Sequence, residues 1–207
     1  MTIAVVGGLW IGWCALHSIM IDAAVTNFVK IRLPAWVRWY RLLYNGLSLV
    51  TLIPLATYTG RIGGEVIFAW QGWGGTSVRM LILTLSGLLF WGGAKRYDFK
   101  TFLGIRQLRA GETGILLSES RDFAPTGVFA MTRHPWYLGS LLAIWTIFPE
   151  YQLGPTVAVI ILSLYLVLGT LLEERKIVQE HGDSYRLYQQ QVSMLVPWKW
   201  LKNRMKW

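Results

Sequence analysis

The sequence predicts an all-α fold, that of a polytopic membrane protein with five transmembrane helices. The first reason is composition: 54% of the 207 residues are hydrophobic and 12 are Trp, and the mean hydropathy is +0.40. A soluble domain cannot bury that much apolar surface. The second reason is run length, because a helix rising about 1.5 Å per residue must cross roughly 30 Å of hydrocarbon. The apolar runs cover approximately residues 3–20, 42–58, 74–94, 136–149 and 156–172.

The first run has no Lys or Arg before it and no clear small-residue cleavage site. We therefore expect a retained span and not a signal peptide. Cys14 is the only cysteine of the sequence and lies inside this run. A single cysteine excludes an intrachain disulfide and a multi-cysteine metal cluster.

The second, third and fifth runs are long enough to span with flanking anchors, but the fourth, 136–149, is short. We expect it to be tilted, or packed on the fifth as a C-terminal helical hairpin that barely emerges at 150–155. The longest polar stretch, 95–132, is predicted to form a cap at the membrane surface. With no internal repeat or long linker, residues 1–207 are interpreted as one domain.

The distribution of basic residues predicts the orientation. Eighteen of the 20 Lys and Arg fall in 21–41, in 95–133 or after 172, and Lys and Arg are retained in the cytoplasm. We therefore expect the N-terminus outside and the C-terminus inside, in a bacterial inner membrane. Attraction to anionic lipid accounts for the net charge of +9, so the bilayer and not a nucleic acid is the predicted partner. An interfacial anchor is predicted from Trp198, Lys199, Trp200, Lys202, Arg204, Lys206 and Trp207.

Two polar blocks bracket the predicted hairpin. Arg133 to Gly139 precede it and Glu173 with Glu174 follow it, so the hairpin returns a basic, aromatic segment to a pair of carboxylates. Tyr137 can cover a purine face, and a small residue at 139 lets a ligand approach the backbone. Because acids at a membrane edge are functional by default, we expect a cytoplasmic site that holds a zwitterion.

Each block also has a structural interpretation. Arg133 can snorkel to the interface, and Pro135 suits the first turn of a helix, where its missing N–H is not needed. The acids can lie on the solvated face of a helix that continues to about His181 and ends at Gly182.

Other polar residues give weaker signals. His17 and Ser18 end the first span, and a histidine at a helix end is more often an interfacial hydrogen-bonding group than a catalyst. Asp98, Arg106 and Gln107 are weak candidates for substrate contacts on the polar cap. The sequence shows no metal-ligand cluster, so no metal is predicted, and no Gly-x-Ser-x-Gly element of a serine hydrolase.

The segments TGVFAMTRHPWYLG and LLEERKIVQEHGDSYRLYQQQV together resemble the integral-membrane methyltransferases that include isoprenylcysteine carboxyl methyltransferase and the phospholipid methyltransferases. Further upstream, His17-Ser18 and FLGIRQ look more like the methanethiol S-methyltransferases. The resemblance implies that S-adenosyl-L-methionine binds within approximately 123–197, with Glu173 holding its amino group and Glu174 beside it. The other cofactor contacts that it implies are Phe129, His134, Pro135, Trp136, Tyr137, Gly139, Tyr185 and Tyr188.

Two departures bear on the acceptor. Phe129 replaces the family's usual Tyr, and Gly169 stands where prenylcysteine enzymes carry an Arg that orients the substrate carboxylate. We therefore expect methyl transfer to a small thiol or another lipophilic acceptor, with Arg133 or His17 favouring the thiolate. The alternatives left open are a lipid or prenylcysteine acceptor, or a non-catalytic ligand-binding membrane protein on the same scaffold.

Overall fold

The computed structural model describes residues 2–96, 99–110 and 123–205, and helices dominate them. Two short 3₁₀ turns, Pro34–Trp36 and Gly127–Ala130, join the regular elements. In chain order these elements are α1 (Thr2–Ile21), α2 (Ala23–Arg32), α3 (Val37–Arg61), β1 (Val66–Ala69), α4 (Gly72–Ala94), α5 (Phe99–Leu103), α6 (Ile105–Ala110), α7 (Pro135–Thr146), β2 (Glu150–Gln152), α8 (Leu153–His181), α9 (Asp183–Gln191) and α10 (Trp198–Arg204).

Four stretches of helix within the described ranges are long and apolar enough to cross a membrane: Ile3–Ile21, Pro34–Arg61, Gly72–Ala94 and Leu153–His181. The prediction of a helical, multi-pass membrane protein is confirmed at this level. A fifth span is not confirmed, because the fourth apolar run folds as the 12-residue α7, which extends only about 18 Å.

Two strands were not predicted from the sequence. β1 and β2 form a two-stranded sheet, and β2 occupies the expected hairpin tip, so that α8 begins directly at Leu153. Pairing of these strands satisfies backbone groups next to the membrane spans, where unpaired N–H and C=O groups are costly.

The chain divides into two compact units. The first comprises Met1–Ile67, Tyr97–Glu119 and Tyr151–Leu162. Its core is built on the buried side chains of Val6, Trp10 and Ala158. The Trp10 indole donates a hydrogen bond of 3.0 Å to the Thr59 hydroxyl, which satisfies its polar end inside an apolar core.

The second unit comprises Phe68–Arg96, Ser120–Glu150 and Ser163–Trp207, and in it α4 and α7 pack closely. Gly139 makes this approach possible, since a Cβ there would lie 3.3 Å from the Phe90 ring. Ser86 donates a 2.8 Å hydrogen bond to the Gly139 carbonyl across the same contact. Arg79 of α4 donates to the Thr146 carbonyl at the end of α7 at 2.8 Å, where a cation is favoured.

Candidate functional site

The segment before α7 is held in place by the segment after α9. The Arg133 amide donates to the Ser193 carbonyl at 2.9 Å and the His134 amide to the Met194 carbonyl at 3.3 Å. Pro135 then occupies the first turn of α7, as the sequence predicted. Together these contacts direct the side chains of Arg133 and His134 toward Glu174 in the C-terminal part of α8.

α8 runs well past its apolar part and ends at His181. Gly182 follows with φ of 55°, a left-handed conformation that glycine adopts without strain. The chain turns there into α9, whose buried Tyr185 and Tyr188 face back toward the other site elements. The predicted helix end is therefore confirmed.

Glu174 is the centre of the cluster. Its side chain is only 8% exposed, and both carboxylate oxygens accept hydrogen bonds. Oε1 accepts from Arg133 Nε at 3.0 Å, His134 Nε2 at 2.6 Å and the Tyr185 hydroxyl. Oε2 accepts from Arg133 Nη2 at 2.5 Å and Gln189 Nε2 at 2.7 Å. Five donors saturate the carboxylate, which leaves Glu174 no site for a ligand.

Glu173 has different surroundings. Its side chain is 37% exposed, and the polar contact that the described residues give its carboxylate is His134 Nδ1 at 3.9 Å. His134 Nε2 carries a hydrogen toward Glu174, so in the neutral imidazole Nδ1 is an acceptor. Two acceptors then face each other across this gap. A donor group such as an ammonium between them would satisfy both.

Arg133 is a partner of Glu174 and of the backbone, since Nη1 donates to the Val192 carbonyl and, at 3.4 Å, to the Gln189 carbonyl. Burial acts to lower the pKa of Arg133, but the hydrogen bonds and charge of Glu174 outweigh it and raise the pKa. A cation so neutralised is better suited to positioning than to stabilising a thiolate. Its predicted catalytic role stays a prediction.

Aromatic side chains close one side of the cluster. Phe123 packs on Tyr185 with ring centroids 4.9 Å apart and stacks on Tyr188 at 6.0 Å. The Tyr188 hydroxyl donates to the Phe129 carbonyl at 2.6 Å. Burial raises the pKa of Tyr188 to about 12 and also raises the pKa of Tyr185, where the hydrogen bond to Glu174 adds to it. Both phenols are therefore fixed hydrogen-bond donors.

The predicted residues of α7 face different neighbours. The Trp136 indole donates to the Phe90 carbonyl at 3.1 Å, so this side chain belongs to the contact with α4. Gly139 serves that contact as well. Tyr137 points to α8 and lies edge to face with His134 at 5.7 Å. A Cβ at position 169 would be 3.4 Å from the Tyr137 ring, so Gly169 provides the space for it.

Sequence reasoning missed two residues of this unit. Arg96 lies over the buried Phe129 ring at 4.6 Å and donates to the Thr126 hydroxyl at 2.9 Å, which fixes the loop before α7. Nothing in the sequence separates Arg96 from other interfacial cations. The sequence did contain a signal for Gln189. It lies four residues after Tyr185 and therefore on the same face of α9.

The first unit holds the other predicted catalyst, His17. His17 contacts the Ser48 hydroxyl through Nδ1 at 3.1 Å and the Tyr44 hydroxyl through Nε2 at 2.5 Å. Its ring also stacks on Trp13 with centroids 5.1 Å apart. The structure thus places His17 in a polar cluster of the first unit, whereas Arg133 belongs to the second unit.

The weak substrate candidates that the structure describes, Arg106 and Gln107, lie in the first unit. Gln107 is buried and Arg106 exposed on α6, while Asp98 lies outside the described residues, as do Lys206 and Trp207 of the predicted anchor. Among the residues that the structure describes, no group of three His, Cys, Asp or Glu side chains is placed to hold a metal ion.

Comparison with known proteins agrees with the resemblance to methyltransferases. A methanethiol S-methyltransferase of Pseudomonas deceptionensis is 40% identical over 143 residues, which are 66% of this chain and 47% of that protein. The chain is similar to methanethiol S-methyltransferases. The resemblance to membrane methyltransferases is thereby confirmed.

Two further relatives extend the comparison. Methanethiol S-methyltransferase 2 of Bradyrhizobium diazoefficiens is 28% identical over 191 residues, 87% of this chain and 68% of that protein. A Mycobacterium tuberculosis protein of the same name is 32% identical over 117 residues, 53% of this chain and 47% of that protein. The chain thus spans less than half the length of the Pseudomonas and Mycobacterium proteins. No family model and no solved structure matches the chain.

Proposed function

We propose that this chain is an integral-membrane methyltransferase that uses S-adenosyl-L-methionine to methylate a small thiol. The observation that carries the proposal is the pair of acceptors formed by Glu173 and His134 Nδ1, 3.9 Å apart. This pair suits an ammonium group, and a methyl donor with an amino-acid end carries one. The names of the relatives support a thiol as the acceptor.

The residues present fit this cofactor. Glu173 would hold the amino group together with His134, whose orientation is fixed by its 2.6 Å hydrogen bond to Glu174. Tyr137 and the buried Phe129 would supply aromatic surface, which favours both a purine and a cation. Tyr185 and Tyr188 would close the site from α9.

When bound, S-adenosyl-L-methionine supplies an electrophilic methyl group on a sulfonium, which a thiolate can displace in line. The protein's task is then to align the partners and exclude water, and alignment alone can contribute about 7 to 11 kcal/mol. The predicted role of His17 in favouring the thiolate stays a prediction, since both of its ring nitrogens contact hydroxyls of the first unit.

The acceptor argument rests on Gly169 and Tyr137. The position that precedes Glu173 by one helical turn carries no cation, and the Tyr137 ring fills the space beside it. A buried carboxylate acceptor without a cation would cost several kcal/mol. A thiol enters as a neutral group, so we propose a small alkyl thiol over prenylcysteine or a phospholipid amine.

The proposed orientation keeps the C-terminus and the site of the second unit in the cytoplasm. Eighteen of 20 Lys and Arg lie in segments that this topology places inside. A reporter fused after Trp207 should therefore be cytoplasmic. A reporter fused there that reads as periplasmic would overturn the orientation.

A methyl-transfer assay on the purified full chain in detergent tests the function. With radiolabelled S-adenosyl-L-methionine, we expect label on methanethiol or ethanethiol, little or none on prenylcysteine, and none on phosphatidylethanolamine. Binding of the demethylated cofactor without transfer to any acceptor would favour the non-catalytic alternative. Absence of both binding and transfer would remove the proposal altogether.

A further inference from the structure

The His134 ring lies between the two adjacent acids of α8 and turns a different nitrogen toward each. Its side chain is only 3% exposed, with Nε2 2.6 Å from Glu174 Oε1 and Nδ1 3.9 Å from Glu173 Oε2. The first distance is that of a hydrogen bond and the second is too long for one. In the neutral imidazole the proton therefore lies on the Glu174 side, and Nδ1 carries none.

The two acids differ in how their charges are offset. The Glu174 carboxylate pairs with the Arg133 guanidinium through Oε2 and Nη2 at 2.5 Å, so these opposite charges neutralise one another beside the ring. The Glu173 carboxylate is 37% exposed and has no such arginine among the residues that the structure describes. Its negative charge therefore favours a cation at Nδ1 of His134.

The other titratable groups that face His134 are two phenols, one from each remaining element packed against it. From α9, the Tyr185 hydroxyl donates to Glu174 Oε1. From α7, the Tyr137 ring lies edge to face with the imidazole, with centroids 5.7 Å apart. Phenols ordinarily lose their protons near pH 10 and imidazoles near neutral pH. Between about pH 5 and 8, histidine is thus the residue type of this group that changes charge.

The pair of acceptors formed by Glu173 and Nδ1 can be satisfied in two ways. A ligand's ammonium can donate to both atoms, since two hydrogen bonds of about 2.8 Å reach across a gap of 3.9 Å. Alternatively, a proton can bind to Nδ1, which makes both ring nitrogens donors and lets Nδ1–H donate to Glu173. An ammonium then meets a donor and a like charge, so the two arrangements exclude each other.

We propose that the cofactor's ammonium and a proton on His134 Nδ1 compete for one site, so that cofactor binding expels this proton. The inference rests on the proposed function and adds to it a regulation of the same site by pH. As the ammonium enters, the Nδ1–H bond breaks, its electron pair stays on Nδ1, and the proton passes to water on the exposed side of Glu173. Cofactor affinity therefore falls as the pH is lowered.

Titration calorimetry of the purified full chain tests the competition, with S-adenosyl-L-homocysteine, the demethylated cofactor, as the probe from about pH 5.5 to 8. We expect a constant Kd at the alkaline end and a rise approaching tenfold per pH unit at the acidic end, as linkage to one proton requires. Titrations in buffers of different ionisation enthalpy count the protons. We expect release of about one proton per bound cofactor at the acidic end and close to zero at pH 8.

Two glutamine variants locate the proton. His134→Gln keeps an N–H for Glu174 but does not titrate in this range, so its Kd should be the same at both ends and its proton release close to zero. The matched control His181→Gln makes the same change at the end of α8, where the ring contacts Phe123 with centroids 5.0 Å apart. This variant should keep the full pH dependence of the unmodified protein.

The possible failures are distinguishable. A constant Kd across the range, or binding without proton release at the acidic end, would overturn the inference and leave the proposed function intact. The inference is also wrong if the pH dependence survives in His134→Gln or disappears in His181→Gln. Absence of binding at every pH would instead remove the proposed function, and the inference with it. Because the Kd and proton count come from the unmodified protein, they decide the matter even if His134→Gln fails to fold.

Discussion

Glu173 and Glu174 are neighbours in the C-terminal part of α8, yet their carboxylates meet different surroundings. Glu174 is buried and accepts hydrogen bonds from Arg133, His134, Tyr185 and Gln189. Glu173 is 37% exposed, and its carboxylate lies 3.9 Å from His134 Nδ1. The difference teaches that adjacent acids can have separate roles: Glu174 holds the two blocks together, and we propose that Glu173 binds the ligand.

The largest expected effect is the loss of stability when Glu174, the buried acid of this pair, is replaced. Glu174→Gln leaves Arg133 buried without its counter-charge, and breaking a buried pair in this way costs roughly 3 to 5 kcal/mol. Thermal unfolding in detergent should show a large fall in the transition midpoint. Glu180→Gln is the matched control, because it removes an exposed carboxylate of the same helix and should leave the midpoint in place. Equal midpoints for the two variants would show that Glu174 does not stabilise the unit.

The next largest effect is expected on turnover, through Tyr137, whose ring lies against Gly169. Gly169→Leu should displace the ring, and a misplacement of about 1 Å at a reacting centre can cost about 100-fold in rate. Gly169→Ala is the control, since its Cβ would sit 3.4 Å from the ring, an ordinary contact distance. Turnover with a thiol acceptor measures both. Full activity in Gly169→Leu would separate Tyr137 from the reacting groups.

A smaller effect, on the stability of the folded protein at high pH, is expected from Tyr188. The pKa of Tyr188 is raised to about 12 in the folded protein, above the value of about 10 for an exposed phenol. The folded state keeps this proton longer, so its contribution to stability is complete below pH about 10 and is lost as pH rises through about 12. Tyr188→Phe should lower stability at neutral pH by about 0.5 to 1.5 kcal/mol and flatten the decline above pH 10. Urea unfolding at pH 8, 10 and 11 checks it, and an unchanged alkaline slope would count against the assignment.

Much of the fold could be predicted from the sequence, because membrane spans depend on apolar length. The runs in α1, α3, α4 and α8 were located, and the glycine after His181 marked the end of α8. The end of α7 was harder to predict, since its apolar run continues to Pro149 while the helix ends at Thr146. The strands were missed because their three or four residues carry no periodic signal.

The sequence identified many residues of the site but not how they are arranged. The two polar blocks do meet, but the sequence could not tell which glutamate is buried. That depends on the face of α8 against which Arg133 and α9 pack. Arg96 was missed because its partner, the Phe129 ring, is distant along the chain. The role of Gly139 was also interpreted for a ligand, whereas packing of α7 on α4 already requires it.

The most direct test compares Glu173→Gln with Glu174→Gln, measuring cofactor affinity and stability on each. Titration calorimetry with the demethylated cofactor should show that Glu173→Gln loses roughly 1.5 to 3 kcal/mol of binding, about ten- to 150-fold, at an unchanged unfolding midpoint. Glu174→Gln should lose stability instead. Wild-type affinity in a folded Glu173→Gln protein would contradict the division of work between the two acids.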